Sequence, residues 1–429
     1  MGPPEYPNNT RTVGQLGVTA HVLLDGINVV EYATYVAGPG CACMLAEWGA
    51  TVIKVEPLGG DPHRQFLAAA GLNGGPNPVF ELDNRGKRGI AVDTSRPAGV
   101  EILHRLVADA DIFITNVRPA SLDRAGLCPE ALRAINPRLV YASFTGYGLT
   151  GDERDRPGFD IAAFWARTGL SRLMVPRDAE PLSPRSAFGD HVAALALTAG
   201  LLAALHERDR TGVGRVVESS LVRSALYTVG IDFSLQLAFG KVASTRARHE
   251  EINPAANYFC SRDDRWFVVV PRGRDGWKQV CVAAGCADMV DDPRFATAKG
   301  RRVHSREIVS ALDIGFRNFD YHKCIARMDD ADLVWAPVQT LAEAARDPQI
   351  RAAGAVISVR DGDGHIFEAP AGPIRFPGAQ SPDMPPAPRI GQHTAEIMSA
   401  LGYSAADVDE LQHQRIINAE QPQNMTTEI

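Results

Sequence analysis

A carboxylate follows a break in regular backbone in the segment Arg156-Pro157-Gly158-Phe159-Asp160. The apolar residues after Asp160 predict a helix that begins near this aspartate. At a helix start, free backbone N–H groups and the positive end of the helix dipole keep a carboxylate ionised and fixed in direction. Such a group can act as a nucleophile that forms a covalent acyl intermediate. The position also suits an Asp that only caps the helix, so both interpretations stand at this point.

Residues 82–88 form a second group, because Asn84, Lys87 and Arg88 stand just before a predicted strand. Amide and cationic side chains on a loop can bind phosphate groups. The same composition is typical of a solvated surface loop, which is the alternative interpretation.

A third group follows a predicted apolar strand further along the chain. Asn116 and Arg118 come directly after this strand, and Arg124 lies close behind them. Ligands in open α/β sheets bind outside the carboxyl ends of the strands, so these side chains could join the same anion site. Alternatively, the arginines pair with Asp111 or Asp123.

Two glycine turns follow the next predicted strand, in the order Gly146-Tyr147-Gly148 and Thr150-Gly151. Flexible turns of this kind let backbone N–H groups approach a reacting carbonyl. An ordinary surface loop would have the same composition.

The first predicted strand and helix enclose Gly38-Pro39-Gly40, and Glu56 ends the next strand. This order is similar to a dinucleotide-binding fingerprint, in which glycines face the pyrophosphate and an acid binds the ribose. Pro39 removes one N–H group that would face the pyrophosphate, and Cys43 replaces the third glycine. An NAD-dependent oxidoreductase is therefore a weaker alternative.

Strand and helix patterns alternate through the first part of the chain. Apolar runs predict strands at 27–30, 51–55, 90–92, 112–115 and 139–143, with helices at 41–48, 98–108 and 122–135. Alternation of this kind predicts an α/β fold with a Rossmann-like, doubly wound parallel sheet.

A change of composition after about residue 240 predicts two domains, preceded by a flexible arm at 1–22. Residues 23–225 and 340–429 are assigned to a large, discontinuous α/β domain, and residues 226–339 to a smaller α+β domain with linkers. Antiparallel hairpins are predicted at 257–270 and 356–368.

The composition excludes several classes of protein. The 429 residues carry a net charge of −7, which leaves no excess of positive charge for nucleic acid. The seven cysteines show neither zinc-ligand spacings nor a disulfide pattern, so we expect no metal and a reducing, cytoplasmic location. The apolar run 192–205 is shorter than a membrane span and favours a buried helix. The N-terminus shows no signal-peptide pattern.

Taken together, these segments resemble the class III CoA-transferase family, which includes formyl-CoA and carnitine CoA-transferases. The likeness runs from Leu24 to about Asn257 and is looser beyond. It rests on many ordered pieces, namely Leu24-Asp25-Gly26, Ala37-Gly38-Pro39, residues 45–56, Gly60-Asp61-Pro62-His63-Arg64, residues 84–88, residues 110–119, Arg124-Ala125-Gly126-Leu127, Asn136-Pro137-Arg138-Leu139, Gly146-Tyr147-Gly148, residues 156–160 and residues 211–215.

The resemblance implies that Asp160 matches the catalytic aspartate of the family. Asp160 would attack an acyl-CoA thioester and form a mixed anhydride, and the released CoA thiolate would return to form an aspartyl-CoA thioester. An acceptor carboxylate would then take up CoA through a second anhydride.

The resemblance also implies a site for coenzyme A or acyl-CoA as substrate, with a small carboxylic acid as the other partner. Asn116 falls at an adenine-side position, where Val117 replaces a common Phe. The side chains expected to bind CoA are Arg64, Asn84, Lys87, Arg88, Asn116, Arg118, Arg124 and Tyr147. The family further implies an interlocked homodimer, in which each chain threads through the ring of the other.

The sister group of α-methylacyl-CoA racemases offers an alternative, because it is similar in fold and has an equivalent Asp. Those enzymes carry a His just before the Asn-Pro-Arg-Leu segment, whereas residues 132–135 contain none. One base of a two-base racemisation would be missing, which favours a transferase.

The segment 163–167 resembles transferases that act on 2-hydroxy, aryl or branched-chain acids. Phe159, Phe164 and Trp165 could line an apolar acyl pocket, with Arg167 available to a carboxylate. The same aromatic residues could equally pack in the core of the domain.

Overall fold

A computed structural model describes residues 22–72, 74–379, 382 and 384–419. The predicted arm at 1–22 lies outside the described residues, apart from Val22. The chain divides into two compact units. Among the described residues, the first comprises those up to Thr168, Arg185–Thr228 and those from Ile357 onward; the second comprises Gly169–Pro184 and Val229–Val356. The bounds predicted from sequence, 225/226 and 339/340, are placed differently and leave segment 169–184 in the larger domain.

The described residues form the following strands in chain order: β1 (Asn28–Tyr32), β2 (Thr51–Glu56), β3 (Lys87–Val92), β4 (Ile112–Thr115), β5 (Val140–Thr145), β6 (Val216–Ser220), β7 (Asn257–Cys260), β8 (Trp266–Val270), β9 (Val334–Pro337), β10 (Val356–Arg360), β11 (Ile366–Pro370) and β12 (Ile417–Asn418).

The α-helices in the same order are α1 (Ala37–Glu47), α2 (Phe66–Ala69), α3 (Pro78–Asn84), α4 (Pro97–Ala108), α5 (Pro119–Ala125), α6 (Pro129–Ile135), α7 (Leu170–Leu173), α8 (Phe188–Thr211), α9 (Leu221–Thr228), α10 (Gly230–Phe239), α11 (Gly276–Ala284), α12 (Ala298–Val303), α13 (Ser305–Arg317), α14 (Tyr321–Asp330), α15 (Leu341–Ala344), α16 (Pro348–Ala352), α17 (Thr394–Ala400) and α18 (Ala405–His413). A π-helix spans Ile161–Ala166, and short 3-10 helices lie at Pro62–Gln65, Arg248–Glu250 and Ala287–Val290.

The central sheet of the first unit has the strand order β12-β3-β2-β1-β4-β5-β6. The strands from β1 to β6 run parallel, and Val30 of β1 is in register with Ile53 of β2 and Phe113 of β4. All residues of β4 and β5 are buried, as expected of parallel strands covered on both faces. The order 3-2-1-4-5-6 is that of doubly wound sheets, in which a ligand crevice opens between β1 and β4. The α/β class with a parallel central sheet is thus confirmed.

Helix α8 runs through the core of the first unit. It packs against α1, α9 and β6, and it buries Ala193, Leu197 and Leu201 there. By length and composition alone it could cross a membrane. The predicted buried helix at 192–205 is thus buried along one side, whereas Leu195 and Leu202 on it are exposed.

Three local predictions were wrong, because the helices or strands concerned have other boundaries than those predicted from sequence. Residues 82–88 are not a loop, since α3 continues to Asn84 and β3 begins at Lys87. The segment Gly38-Pro39-Gly40, expected before the helix at 41–48, already belongs to α1. The single helix predicted at 122–135 is two helices, because Gly126 adopts a left-handed conformation with φ 65° and Pro129 starts a new helix.

The second unit has its own antiparallel sheet and core. β7 and β8 form the predicted hairpin, and β9 pairs with the other edge of β8. Helices α11, α13 and α14 cover this sheet with Val280, Leu312 and Met328, which pack around Phe267. The unit is thus a small α+β module with an apolar core of its own.

Candidate active site

Asp160 immediately precedes the π-helix, but it does not cap that helix. Its side chain makes no capping hydrogen bond there. Instead, Oδ2 accepts a hydrogen bond of 3.2 Å from the backbone N–H of Gly189 at the start of α8. Oδ1 is buried and has no hydrogen-bond partner among the described residues. The carboxylate is therefore held by a neighbouring helix and keeps one oxygen unused.

Glycines make room for this arrangement. A Cβ at Gly146 would lie 2.8 Å from Cα of Gly158, so the loop after β5 and the segment before Asp160 touch through bare backbone. A Cβ at Gly189 would overlap Oδ1 of Asp160 and the ring of Phe164. Larger residues at these positions would displace the carboxylate.

A cavity of about 350 Å³ opens beside this aspartate. Its walls come from residues that follow the carboxyl ends of β1, β4 and β5, including Tyr35, Asn116, Gly146 and Phe159. This is the crevice at which the strand order reverses. Among the predicted CoA-binding residues, the structure thus brings Asn116 and Arg118 to one cavity, next to Asp160.

Asn116 forms part of the cavity wall. Its Oδ1 accepts from the N–H of Thr34 at 3.0 Å, and its Nδ2 donates to the carbonyl of the same residue at 2.6 Å. The side chain therefore fixes the segment after β1 against the end of β4. Its predicted role beside the adenine stays a prediction.

Arg118 and Arg124 provide positive charge near the cavity. Arg118 is exposed and lines the cavity together with Ser121. Arg124 is also exposed, and its Nη2 donates to Ser121 Oγ at 3.1 Å. Tyr147, in the loop after β5, lies under the guanidinium of Arg156 at 5.8 Å. These positions suit the predicted anion site without testing it.

Lys87 and Asn84, two further predicted CoA ligands, lie inside the protein. Lys87 is 1% exposed, forms an ion pair of 2.5 Å with Glu31, and donates to the carbonyl of Pro39 and to Oδ1 of Asn84. Nδ2 of Asn84 donates to the carbonyl of Phe80. These polar atoms are used within the fold, and neither residue lines the cavity.

Arg64 and Arg88 have partners within the fold as well, and neither residue lines the cavity. Arg64 makes two hydrogen bonds to Glu56, of 2.8 and 2.6 Å, and its guanidinium lies 4.0 Å from the centre of the Phe80 ring. Arg88 lies near the amino end of β3 and pairs with Glu396 at 2.9 Å. The cavity, by contrast, lies at the carboxyl ends of the strands.

The electrostatics of Asp160 differ from the sequence expectation of a readily ionised carboxylate. Burial raises the pKa of Asp160, while the Gly189 N–H and the charge of His191 act against that rise. Burial, and then the charge of Asp160, raise the pKa of the neighbouring Asp190 to about 7. Two carboxyl groups thus compete for ionisation at this point, as expected when like charges share a dry site.

Sequence reasoning did not place Asp190, His191 and Asp83 at the site. Asp190 lines the cavity beside Asp160. His191 stands in the first turn of α8, where its Nε2 is 3.1 Å from Oδ1 of Asp83. The available signal was their order, Gly189-Asp190-His191, at the start of the longest apolar helix.

The dinucleotide alternative is not supported by this geometry. Gly38, Pro39 and Gly40 are buried within α1 rather than in a loop that could face a pyrophosphate. Glu56, expected to bind a ribose, is 2% exposed and engaged by Arg64.

The fold and cavity agree with comparisons to known proteins. The chain belongs to CoA-transferase family III, whose sequence model matches residues 24–394. It is therefore a class III CoA-transferase, as the motif resemblance predicted.

Curated relatives cover nearly the whole chain. The (R)-2-hydroxy-4-methylpentanoate CoA-transferase of Clostridioides difficile is 31% identical over 92% of this chain and 100% of its own length. The cinnamoyl-CoA:phenyllactate CoA-transferase of Clostridium sporogenes is 31% identical over 92% of this chain and 97% of its own. A solved CAIB/BAIF family protein from Brucella suis has a TM-score of 0.76 at 30% identity and covers 88% of this chain and 99% of its own.

Proposed function

We propose that this CoA-transferase works through covalent catalysis by Asp160. The carboxylate attacks the thioester carbonyl of the donor, so that a C–O bond forms, the C–S bond breaks and CoA leaves as a thiolate. The thiolate then attacks the aspartyl carbonyl of the anhydride and releases the donor acid. The acceptor carboxylate displaces CoA from the aspartyl thioester, and the thiolate finally takes the acceptor acyl group and restores Asp160.

The observation that carries this proposal is the state of the two Asp160 oxygens. Oδ2 is oriented by the Gly189 N–H, whereas Oδ1 is buried without a partner among the described residues, and the preceding Phe159 lines the cavity. A buried carboxylate oxygen without a hydrogen bond is costly for stability, and such cost is typical of a functional group. Both anhydrides and the thioester form on this one carboxyl group, and no net proton is taken up or released.

Asp160→Ala should abolish CoA exchange and leave CoA binding nearly unchanged. The matched control is Asp152→Ala, which changes an exposed aspartate of the same loop. Mass spectrometry of the protein after mixing with cinnamoyl-CoA should show CoA attached to the unmodified protein and none attached to the Asp160 variant. Full exchange activity in the Asp160 variant would refute the mechanism, and deuterium uptake at the α-carbon without an acceptor would indicate epimerisation instead.

We further propose that the acids exchanged are 2-hydroxy, aryl or branched-chain acids. The names of the two curated relatives support this class of substrate. Of the aromatic residues considered from sequence, Phe164 and Trp165 are buried in the core, and Arg167 pairs with Glu153. Phe159 is 57% exposed at the cavity and packs edge-on against Tyr35 at 5.4 Å. The pair Phe159 and Tyr35 is therefore the proposed apolar contact for the acyl group.

We place the CoA phosphates near Arg118 and Arg124, because these exposed cations stand at the cavity. Arg118→Ala should weaken CoA binding by roughly tenfold, as expected for one charge-assisted contact. Calorimetric titration with free CoA measures this effect, and Arg96→Ala, in a different exposed loop, provides the control. Equal affinities in the two variants would move the phosphate site elsewhere.

Assembly and location are also proposals. The seven cysteines are free, which suits a reducing cytoplasm. Helix α10 of the second unit has no buried residue, and Ile231, Leu237 and Phe239 are 81%, 71% and 70% exposed. So much exposed apolar surface on one helix is typical of a protein interface. The proposed partner is a second copy of the chain, in an interlocked homodimer.

A further inference from the structure

The first turn of α8 carries three consecutive residues at the Asp160 site. Gly189 donates its N–H to the carboxylate, and Asp190 lines the cavity. His191 comes next, and its Nε2 lies 3.1 Å from Oδ1 of Asp83. A histidine without an assigned role is thus built into the helix end that holds the nucleophile.

Asp83 ties this histidine to a different helix. The Asp83 side chain is 4% exposed in α3, whereas that of His191 is 44% exposed on an apolar cavity of about 280 Å³. Gly40 of α1 makes room for the pair, since a Cβ there would lie 3.1 Å from Asp83 Oδ1 and 3.7 Å from His191 Cδ2. The pair therefore connects α3 to the start of α8, next to Gly40 of α1.

We propose that His191, held by Asp83, is a positioning residue that fixes the Gly189 amide against Asp160 and keeps that carboxylate ionised by its positive charge. The inference rests on the proposed role of Asp160 as nucleophile. The imidazolium donates to Asp83 and stands two residues after Gly189, whose N–H holds Asp160, so that its charge acts on that carboxylate. A carboxylate in a dry site needs such help, because burial favours its neutral form.

Titratable groups from several elements surround His191. None of the other described groups provides an unpaired cation that could stabilise ionised Asp160. The groups are Cys43 and Glu47 of α1, His63 of the 3-10 helix, Asp83 of α3, Arg85 directly after α3, Asp160, and Asp190 of α8. Arg85 is paired with Glu47. Burial raises the pKa of the Cys43 thiol to about 12 and lowers the pKa of His63, so both are neutral near pH 7. The hydrogen bond to Asp83 raises the pKa of His191 more than burial lowers it, so the pairing favours the charged imidazolium.

The test is an infrared titration of the Asp160 carboxylate in protein labelled with ¹³C-aspartate, taken as the difference from the Asp160→Ala variant. His191→Gln should raise the pKa of Asp160 by about half a unit, or roughly threefold in the ratio of ionised to neutral carboxyl, since solvent screens the half-exposed imidazole. His191→Lys keeps a cation and should restore most of the original value. The double variant with Asp83→Asn should shift no further than His191→Gln alone.

An unchanged pKa in His191→Gln would overturn the inference, as would equal shifts in the Gln and Lys variants. If His191 were purely structural, His191→Gln would lower the rate with cinnamoyl-CoA and phenyllactate equally at every pH. In the proposed role, the same variant shifts the acid limb of the pH–rate profile to higher pH. His191 is half exposed, so its variants test the inference even if Asp83→Asn fails to fold. CoA exchange that survives in Asp160→Ala would refute the role of Asp160 as nucleophile. The infrared titration tests the effect of His191 on the pKa of Asp160 independently of that role.

Discussion

At the scale of single residues, the orientation of the Asp160 carboxylate depends on a glycine, Gly189. Gly189 gives its N–H to Asp160, and any Cβ there would occupy the space of Oδ1 and of the Phe164 ring. Gly189→Ala should therefore turn the carboxylate and lower kcat by roughly 100-fold, the effect expected of a misplacement near 1 Å. Steady-state rates measure this loss. Gly59→Ala is the control, because a Cβ at Gly59 meets nothing within 4 Å; equal activity in both variants would contradict the geometry.

Asp190 links pH to stability at the same site. Its pKa is about 7 in the folded protein against an ordinary value of 3.8, so the folded state holds a proton that the unfolded state has lost. Stability from this group is therefore present at low pH and is lost as the pH rises towards 7. Asp190→Asn cannot ionise, so its Tm should exceed that of the parent protein by a few degrees at pH 8 and match it near pH 4. A Tm difference that is the same at both pH values would show that Asp190 is not buried as a neutral acid.

At the scale of elements, a buried chain of charges joins three neighbouring strands. Lys54 of β2 bridges Glu31 of β1 and Asp61 at 2.7 and 2.9 Å, and Lys87 of β3 reaches the other oxygen of Glu31. Burial alone would lower the pKa of Lys54, but its acidic neighbours raise it, so the charge persists. The four charges balance, which is the condition under which buried ions are tolerated.

Lys54→Met should destabilise the protein by about 3–5 kcal/mol, because it leaves the buried Asp61 without its cation and Glu31 with Lys87 alone. Urea unfolding, followed by a probe in the first unit, measures this change in the free energy of unfolding. Arg215→Met removes one partner of an exposed ion pair with Glu207 in the same unit and should have no resolvable effect. Similar effects of the two variants would mean that the buried chain is not a main support of the sheet.

The elements that could be predicted from sequence are those defined by local patterns. β4 and the β7–β8 hairpin were predicted closely, because apolar runs and a polar turn define them locally. Lys87 was assigned to a phosphate-binding loop, since nothing nearby in the chain shows that Glu31 of another strand would draw it inward. Asp160 stood out through the break before it, whereas the Gly189 N–H that orients it comes from a distant helix. Contacts between elements, rather than local patterns, decided these outcomes.

At the scale of the whole molecule, the proposed interlocked dimer makes a prediction that ordinary association does not. If each chain threads through the ring of the other, two dimers can exchange subunits only by unfolding. Tagged and untagged protein mixed after purification should therefore give no mixed dimers over days, as measured by native mass spectrometry. Co-expression of both forms supplies the control and should give about half mixed dimers.

The exposed helix α10 distinguishes interlocking from simple docking. Leu237→Glu and Phe239→Glu place charge on its apolar surface and should prevent a docked dimer from forming at micromolar concentration. An interlocked dimer would instead either fail to assemble during folding or, once assembled, stay intact on dilution. Sedimentation velocity after dilution separates these cases. Rapid exchange of the parent protein together with monomeric variants would leave α10 as an interface but would exclude threaded chains.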